Sequence, residues 1–150
     1  MRMSTRGRFG LRALVHLAAR GDGKPVAVSE IADEMEVSPD YLMQLFVRMR
    51  RGRLLESVRG PRGGFRFARK LEDITVGDVV RCVEGSLSPI DCVPDDPAGC
   101  VREFDGADVC SKAPKCVSRI AWLELTKEIV EIFDSLTISD ILKKGTLRNV

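Results

Sequence analysis

The chain has 150 residues, 44% of them hydrophobic and 31% charged, with 24 Lys/Arg against 22 Asp/Glu. That size suits one domain with a moderate core, the composition is that of a folded chain, and no apolar run approaches the roughly 18 residues of a membrane span. The opening MRMSTRGRFGLRAL has no uninterrupted apolar stretch of the kind a secretion signal needs, so the cytoplasm is the expected compartment, where five cysteines point to free thiols or metal ligands before disulfides.

In chain order, Phe9, Leu11, Leu14, Val15, Leu17 and Ala18 recur at near-helical spacing and predict a helix over residues 5–19, which GDGKP at 21–25 ends. VSEIADEM at 28–35 predicts a short helix, with Ser29 capping it or in its first turn and Ile31, Ala32 and Met35 facing inward. Ser38 as N-cap, Pro39 in the first position and Asp40 at the positive end open the next helix. It buries Leu42, Leu45, Phe46 and Met49 and leaves Tyr41, Gln44, Arg48 and Arg51 on the other face. LLESV and FRFAR read as two short strands around a glycine-rich turn, so a helix-turn-helix passes straight into a hairpin wing. A helix over 74–85, capped near Thr75, precedes an irregular stretch at 86–116. Residues 117–136 predict a long helix with an apolar stripe of Ile120, Leu123, Ile129, Ile132, Phe133 and Leu136, widened by Trp122, Leu125 and Val130. So apolar a helix at the end of a small domain needs a partner helix, which a twofold homodimer supplies. SDILKKG at 139–145 makes a final capped turn or two.

The expected fold is therefore mainly α with a small β-hairpin wing, a winged helix-turn-helix followed by a long C-terminal dimerisation helix. Residues 1–73 form the DNA-binding region, 74–116 a linking helix and cysteine-rich loop, and 117–150 the dimerisation helix and terminal turn, all within one intertwined domain. The charge divides in the same way. Residues 1–70 carry 15 Lys/Arg against seven Asp/Glu, and residues 71–150 carry nine against 15, which turns the front part toward a polyanion.

The segment RGPRGGFRFAR, 59–69, concentrates four arginines and three glycines in eleven positions. It lacks the Lys-Ser/Thr of a phosphate-binding P-loop, and a strand rather than a helix follows it, which disfavours a dinucleotide fingerprint. As a wing it makes physical sense. Pro61 and the glycines Gly60, Gly63 and Gly64 turn the tip tightly enough to enter a groove, with Gly63 expected at the DNA. Arg59 and Arg62 sit there to meet phosphates or the minor groove, and Arg66 and Arg69 lie along the stem. In the recognition helix Gln44 can pair with adenine, Arg48 can reach guanine or a phosphate, and Ser38 and Tyr41 can anchor phosphate, Tyr41 being equally suited to half-buried packing. Arg6, Arg8 and Arg12 on the first helix are expected at the DNA backbone. The partner is thus double-stranded DNA, and no carboxylate pair, triad or cofactor loop suggests an enzyme.

Cys92, Cys100, Cys110 and Cys116 are separated by seven, nine and five residues, which is no zinc-knuckle spacing. Four thiols in a polar loop are nonetheless poor core residues, and soft thiolates select iron–sulfur clusters, zinc or copper(I). A cluster, a zinc site and thiol redox chemistry all stay open on this basis. Cys82 beside Val79 and Val83 reads as buried filler, and His16 among Leu14, Val15 and Leu17 as packing or a local hydrogen bond.

MRMSTRGRFGLRALVHLA, SPDYLMQLFVRMRRGRLLESVRGPRGGFRFAR, ITVGDVVRCVEG and the cysteine loop ending in CVSRIAWLEL together resemble the iron–sulfur-binding branch of the IscR/NsrR-type family of bacterial winged-helix regulators over nearly the entire chain. The resemblance implies a homodimer on a palindromic operator whose DNA affinity depends on an iron–sulfur cluster, a two-iron cluster being expected ahead of a four-iron one; zinc stays the alternative metal on the chemistry of the thiols alone. It implies Cys92, Cys110 and Cys116 as three of the ligands, and cluster-delivery proteins as further partners. The family's fourth ligand varies, and the positions that supply it elsewhere hold Arg119, Arg8 and Arg12 here, so Cys100 becomes the expected substitute. Met43 stands where a relative reads DNA with a glutamate, so a different operator preference is expected. Two rival readings share the fold: a zinc- or thiol-based redox repressor, and a regulator of cysteine or sulfur metabolism that senses through a partner protein.

Overall fold

The computed structural model describes residues 3–21, 23–95 and 109–146. Helix α1 spans Thr5–Gly21, α2 Val28–Met35 and α3 Pro39–Arg51. Strands β1, Leu55–Val58, and β2, Gly64–Phe67, pair antiparallel with Leu55 opposite Phe67 and Val58 opposite Gly64. A single 3-10 turn at Leu71–Asp73 leads to α4, Val76–Glu84, and a second at Ala113–Lys115 leads to α5, Val117–Asp134, and α6, Ile138–Thr146. The mainly α fold with a hairpin wing is therefore the one the sequence predicts.

Local chemistry accounts for most boundaries. The Ser38 hydroxyl accepts the Tyr41 N–H at 3.1 Å with Pro39 in the first turn, so α3 begins where its sequence says. The turn before it is made by Glu36 in the left-handed conformation, φ 56°, whose N–H closes on the end of α2. Ser29 falls in the first turn of α2, and the cap position is Ala27, which offers no side-chain bond. The second strand ends at Phe67 rather than running to Arg69, although the Ala68 N–H still reaches the Leu54 carbonyl at 3.0 Å.

One core joins the head. Leu14 and Leu17 of α1, Ile31 of α2, Leu42, Leu45, Phe46 and Met49 of α3, and Val79 and Val83 of α4 are fully buried together. Phe46 stacks on Phe65 with ring centroids 5.1 Å apart, which ties the recognition helix to the wing. Such a pair adds about 1 kcal/mol beyond its burial. Val26 bridges to Phe65 on the other side, with hydrogen bonds of 2.9 Å in both directions, so the wing stem is held by three segments.

The C-terminal part folds back on this head. Thr75 and Thr137 form an isolated antiparallel bridge, Val76 N–H donates to the Leu136 carbonyl at 2.8 Å and Ile138 N–H to the Ile74 carbonyl at 3.0 Å. Two capping boxes of like sequence, TVGD at 75–78 and TISD at 137–140, start α4 and α6 beside that bridge. Ile138 is fully buried in the main core, and α6 packs on α1. At the other end of α4 the Glu84 carboxylate accepts the Ser4 and Gly7 N–H groups at 3.1 and 2.8 Å, satisfying the start of α1.

Candidate functional site: a nucleic-acid interface and a thiol loop

On α3, Gln44 and Arg48 are exposed, and Ser38 is exposed at its N-terminus. Tyr41 instead turns half inward. Its ring meets Phe9 edge-on at 6.0 Å, and its hydroxyl is buried without a hydrogen-bond partner among the described residues, so packing occupies this side chain. Met43 is 42% exposed on the same helix, an apolar side chain offered to whatever the helix meets. Arg6, Arg8 and Arg12 are all exposed along α1. Two further arginines extend the basic surface. Arg50 donates to Ser57 at 3.3 Å, from α3 to β1, and Arg53 holds the left-handed conformation after the helix, φ 58°. The run RMRRGR at 48–53 carries the signal for them, as a dense basic stretch at a helix end.

The wing turns as its glycines require. Gly60 has φ 120°, and the Gly63 N–H closes the turn on the Gly60 carbonyl at 2.9 Å. Arg59 and Arg62 are exposed at the tip. The stem arginines are engaged within the chain, Arg66 with Glu56 and Arg69 with Asp78 of α4 at 2.9 Å. The tip and stem arginines thus divide into two kinds, those open to a phosphate and those that already hold the hairpin in place. His16 makes a local contact, its Nδ1 3.0 Å from Glu34, which also pairs with Arg20.

Among the thiols, Cys92 and Cys116 are half-buried and Cys110 is exposed, while Cys100 lies outside the described residues. The Arg119 Nε donates to the Cys92 carbonyl at 3.0 Å, and the Cys110 carbonyl accepts the Ala113 N–H at 2.9 Å, so backbone contacts lead from each cysteine toward the start of α5. Cys116 stands at the N-cap of α5 with its sulfur 3.1 Å from the Ser118 hydroxyl. That hydrogen bond first, and backbone N–H groups of the first turn after it, draw the Cys116 thiol below its usual pKa against a small desolvation. Among the described residues no group of three or more His, Cys, Asp or Glu side chains is gathered in a metal-holding arrangement. Cys82 is half-buried on α4, and its sulfur occupies the space that a side chain at Gly52 would need. Burial first, then the Asp78 charge, raises its pKa, with Arg69 opposing, so it is no activated thiol.

Sequence reading missed the ionic cluster behind α4. Arg81 grips Asp134 of α5 with two prongs, at 2.9 and 3.0 Å, and Thr75 donates to the same carboxylate at 3.1 Å. Burial works against the Arg81 charge, but the Asp134 hydrogen bonds and the Asp134, Asp95 and Asp78 charges outweigh it and raise its pKa. No local pattern announces this cluster, because its members lie on different elements.

A helix-turn-helix running directly into an arginine-tipped hairpin defines a winged-helix, DNA-binding transcriptional regulator. The chain belongs to the Rrf2 family, described as an iron-dependent transcriptional regulator, whose model matches residues 3–144. Protein rrf2 of Nitratidesulfovibrio vulgaris is 31% identical over 147 residues, covering 98% of this chain and 91% of that one. Two solved structures share the fold. IscR of T. potens superposes with a TM-score of 0.70 at 33% identity, over 97% of this chain and 88% of that one. CymR, the global cysteine regulator of B. subtilis, gives 0.71 at 28% identity, over 96% and 98%. These relatives are regulators, not enzymes. No described helix is long and apolar enough to cross a membrane.

Proposed function

We propose that this Rrf2-family regulator binds a palindromic operator as a homodimer, and that an iron–sulfur cluster on Cys92, Cys110 and Cys116 sets its DNA affinity. The observation that carries the reading is Cys116 at the N-cap of α5, a helix whose Ile120, Leu123 and Ile132 are exposed. A thiol at the N-cap and exposed apolar side chains further along the same helix place a soft-metal ligand close to a surface that would pair two heads. The donor set suits the cofactor in kind: three thiols, one with its pKa lowered. Bound there, a cluster would supply a centre that responds to iron supply, oxygen, nitric oxide or redox state. Arg119 is engaged with the Cys92 carbonyl, so Cys100 is the proposed fourth ligand, with a two-iron cluster ahead of a four-iron one and zinc as the rival metal.

The protein's own residues then do the reading. Arg59 and Arg62 neutralise phosphates at the wing, Gln44 and Arg48 face base edges, and α5 fixes the separation of the two heads against half-sites about one helical turn apart. A second reading, sensing of cysteine metabolism through a partner protein, is favoured by the likeness to CymR and by thiols that are not gathered into a metal group among the described residues.

One experiment separates the two. Anaerobically purified protein is assayed for iron and acid-labile sulfide and for visible absorption, and operator affinity is then measured with and without the bound metal. Stoichiometric iron and sulfide with a metal-dependent change in affinity supports the cluster. Colourless protein whose DNA binding ignores metal supports partner sensing, and zinc in place of iron supports the metal alternative.

A further inference from the structure

Helix α4 touches both halves of the molecule. On one side Asp78 pairs with Arg69 at the base of the wing, and Cys82 fits against Gly52 at the end of the recognition helix. On the other side Arg81 reaches Asp134 of α5 and Asp95, three residues beyond Cys92. The site is built for this. A side chain at Gly77 would sit 1.9 Å from the Asp134 carboxylate, so the helix must be bare there for α5 to bring its charge onto α4.

The two acidic partners of Arg81 are held differently. Asp134 takes both terminal nitrogens at hydrogen-bond distance and is steadied by Thr75. Asp95 lies 3.5 Å from Nε, near enough for charge attraction but without a hydrogen bond. That Nε is buried and has no hydrogen-bond partner among the described residues. Asp95 is also tied to its own loop, accepting the Leu87 N–H at 2.6 Å. A buried donor that lacks a partner is costly, so a small advance of the loop that seats Asp95 on Nε is favourable, and a retreat is not. The Asp134 side is an anchor, and the Asp95 side is the adjustable contact.

We infer that Arg81 and Asp95 are positioning residues through which the loop bearing Cys92 and the DNA-reading head constrain one another. The inference rests on the proposed role of that loop as the sensing element, but it concerns only residues of this chain. Coupling between two sites is reciprocal, so DNA bound at the head must act back on the loop. That gives a test that needs no cofactor.

The rate of N-ethylmaleimide labelling at Cys92 is read by mass spectrometry in the full-length, metal-free chain. It is measured with and without a duplex that the wild-type protein selects from a random-sequence pool. In the wild type the duplex changes this rate by about fivefold or more, the lower end of ordinary allosteric coupling. In Asp95→Asn, checked for folding by thermal unfolding, the change falls below about twofold, and Asp95→Glu restores it in part. If Asp95→Asn does not fold, Arg81→Lys replaces it, keeping the charge without the two-pronged grip, with the same loss expected. An equal effect of the duplex in wild type and variant overturns the inference, as does a wild-type rate indifferent to DNA. Protein that never holds iron or sulfide would defeat the cofactor reading and leave this labelling result standing.

Discussion

Arg119 Nε lies 3.0 Å from the carbonyl oxygen of Cys92, a bond between the first turn of α5 and the start of the cysteine loop. Arg119 is therefore not idle. It crosses from one thiol-bearing segment to the other, three positions after Cys116. Arg119→Ala should free the Cys92 backbone and speed modification of its thiol several-fold while leaving Cys82 unchanged. Charged hydrogen bonds of this kind contribute about 1.5–3 kcal/mol. Peptide-resolved thiol labelling measures both sites at once, and equal rates in the variant and wild type would show that the bond does not restrain the loop.

The wing carries exposed arginines at its tip and ion-paired arginines along its stem. Arg59→Ala and Arg62→Ala should each weaken binding to all duplexes alike and lower the slope of log affinity against log salt by about one. Arg66→Ala, which breaks the pair with Glu56, should affect the slope less. Gln44→Ala should do the reverse of the tip variants, costing about 1–3 kcal/mol of discrimination while nonspecific affinity holds. Fluorescence anisotropy over a salt series reads all four, and an unchanged slope for Arg59→Ala and Arg62→Ala would remove the wing tip from the phosphate contacts.

Gly64 opens β2 where the chain passes Val26. A Cβ there would lie 2.2 Å from the Val26 carbonyl oxygen, and backbone cannot move aside as a flexible side chain can. Gly64→Ala should therefore break the bridge between Val26 and Phe65, lower stability by about 2 kcal/mol or more, and weaken DNA binding. Urea unfolding gives the first number. A variant as stable as the parent would mean the wing stem repacks freely.

On α5, Ile132 is 66% and Ile120 63% exposed. If α5 pairs with a second copy, each Ile→Glu change removes about 1.5–3 kcal/mol of apolar burial and adds a charge at the seam. Analytical ultracentrifugation should then find dimer for the wild type and monomer for Ile120→Glu/Ile132→Glu, with far-ultraviolet circular dichroism unchanged. A dimer that survives both changes would assign the pairing surface elsewhere.

Asp140 starts α6 by accepting the Thr137 hydroxyl at 2.7 Å and the Thr137 N–H at 3.1 Å. These two bonds, first the hydroxyl and then the backbone, with Lys143 and Lys144 adding to them against a slight desolvation, hold its carboxyl below the usual carboxylate range. A depressed folded value means that the unfolded chain binds the proton first, so the carboxylate's contribution is complete above the ordinary aspartate pKa of about 4 and is lost as the pH falls through the lower folded value. Asp140→Asn should be less stable than wild type at neutral pH, and the two should converge in acid. A stability difference that persists unchanged at the acid end would refute the capping role.

Much of the head was legible from the letters because its signals are local. Ser38–Pro39–Asp40 states a helix start, Leu42, Leu45, Phe46 and Met49 state its buried face, and RGPRGG states a turn. Each works through backbone geometry or 3.6-residue spacing within a few positions. Tyr41 shows the limit, since only the arrival of Phe9 from another helix decided that its ring packs inward. The same holds for Arg81, whose partner Asp134 is 53 residues away, and for Glu84, which caps a helix 77 residues earlier in the chain. In the sequence these are ordinary charges on polar faces, and nothing periodic marks them. Long-range ion pairs and caps exist only once the helices have packed. The amino-acid order therefore determined which elements form and which polar side chains stay exposed on α3 and at the wing tip, and the tertiary structure alone decided that α4 touches both the base of the wing and the segment that follows Cys92.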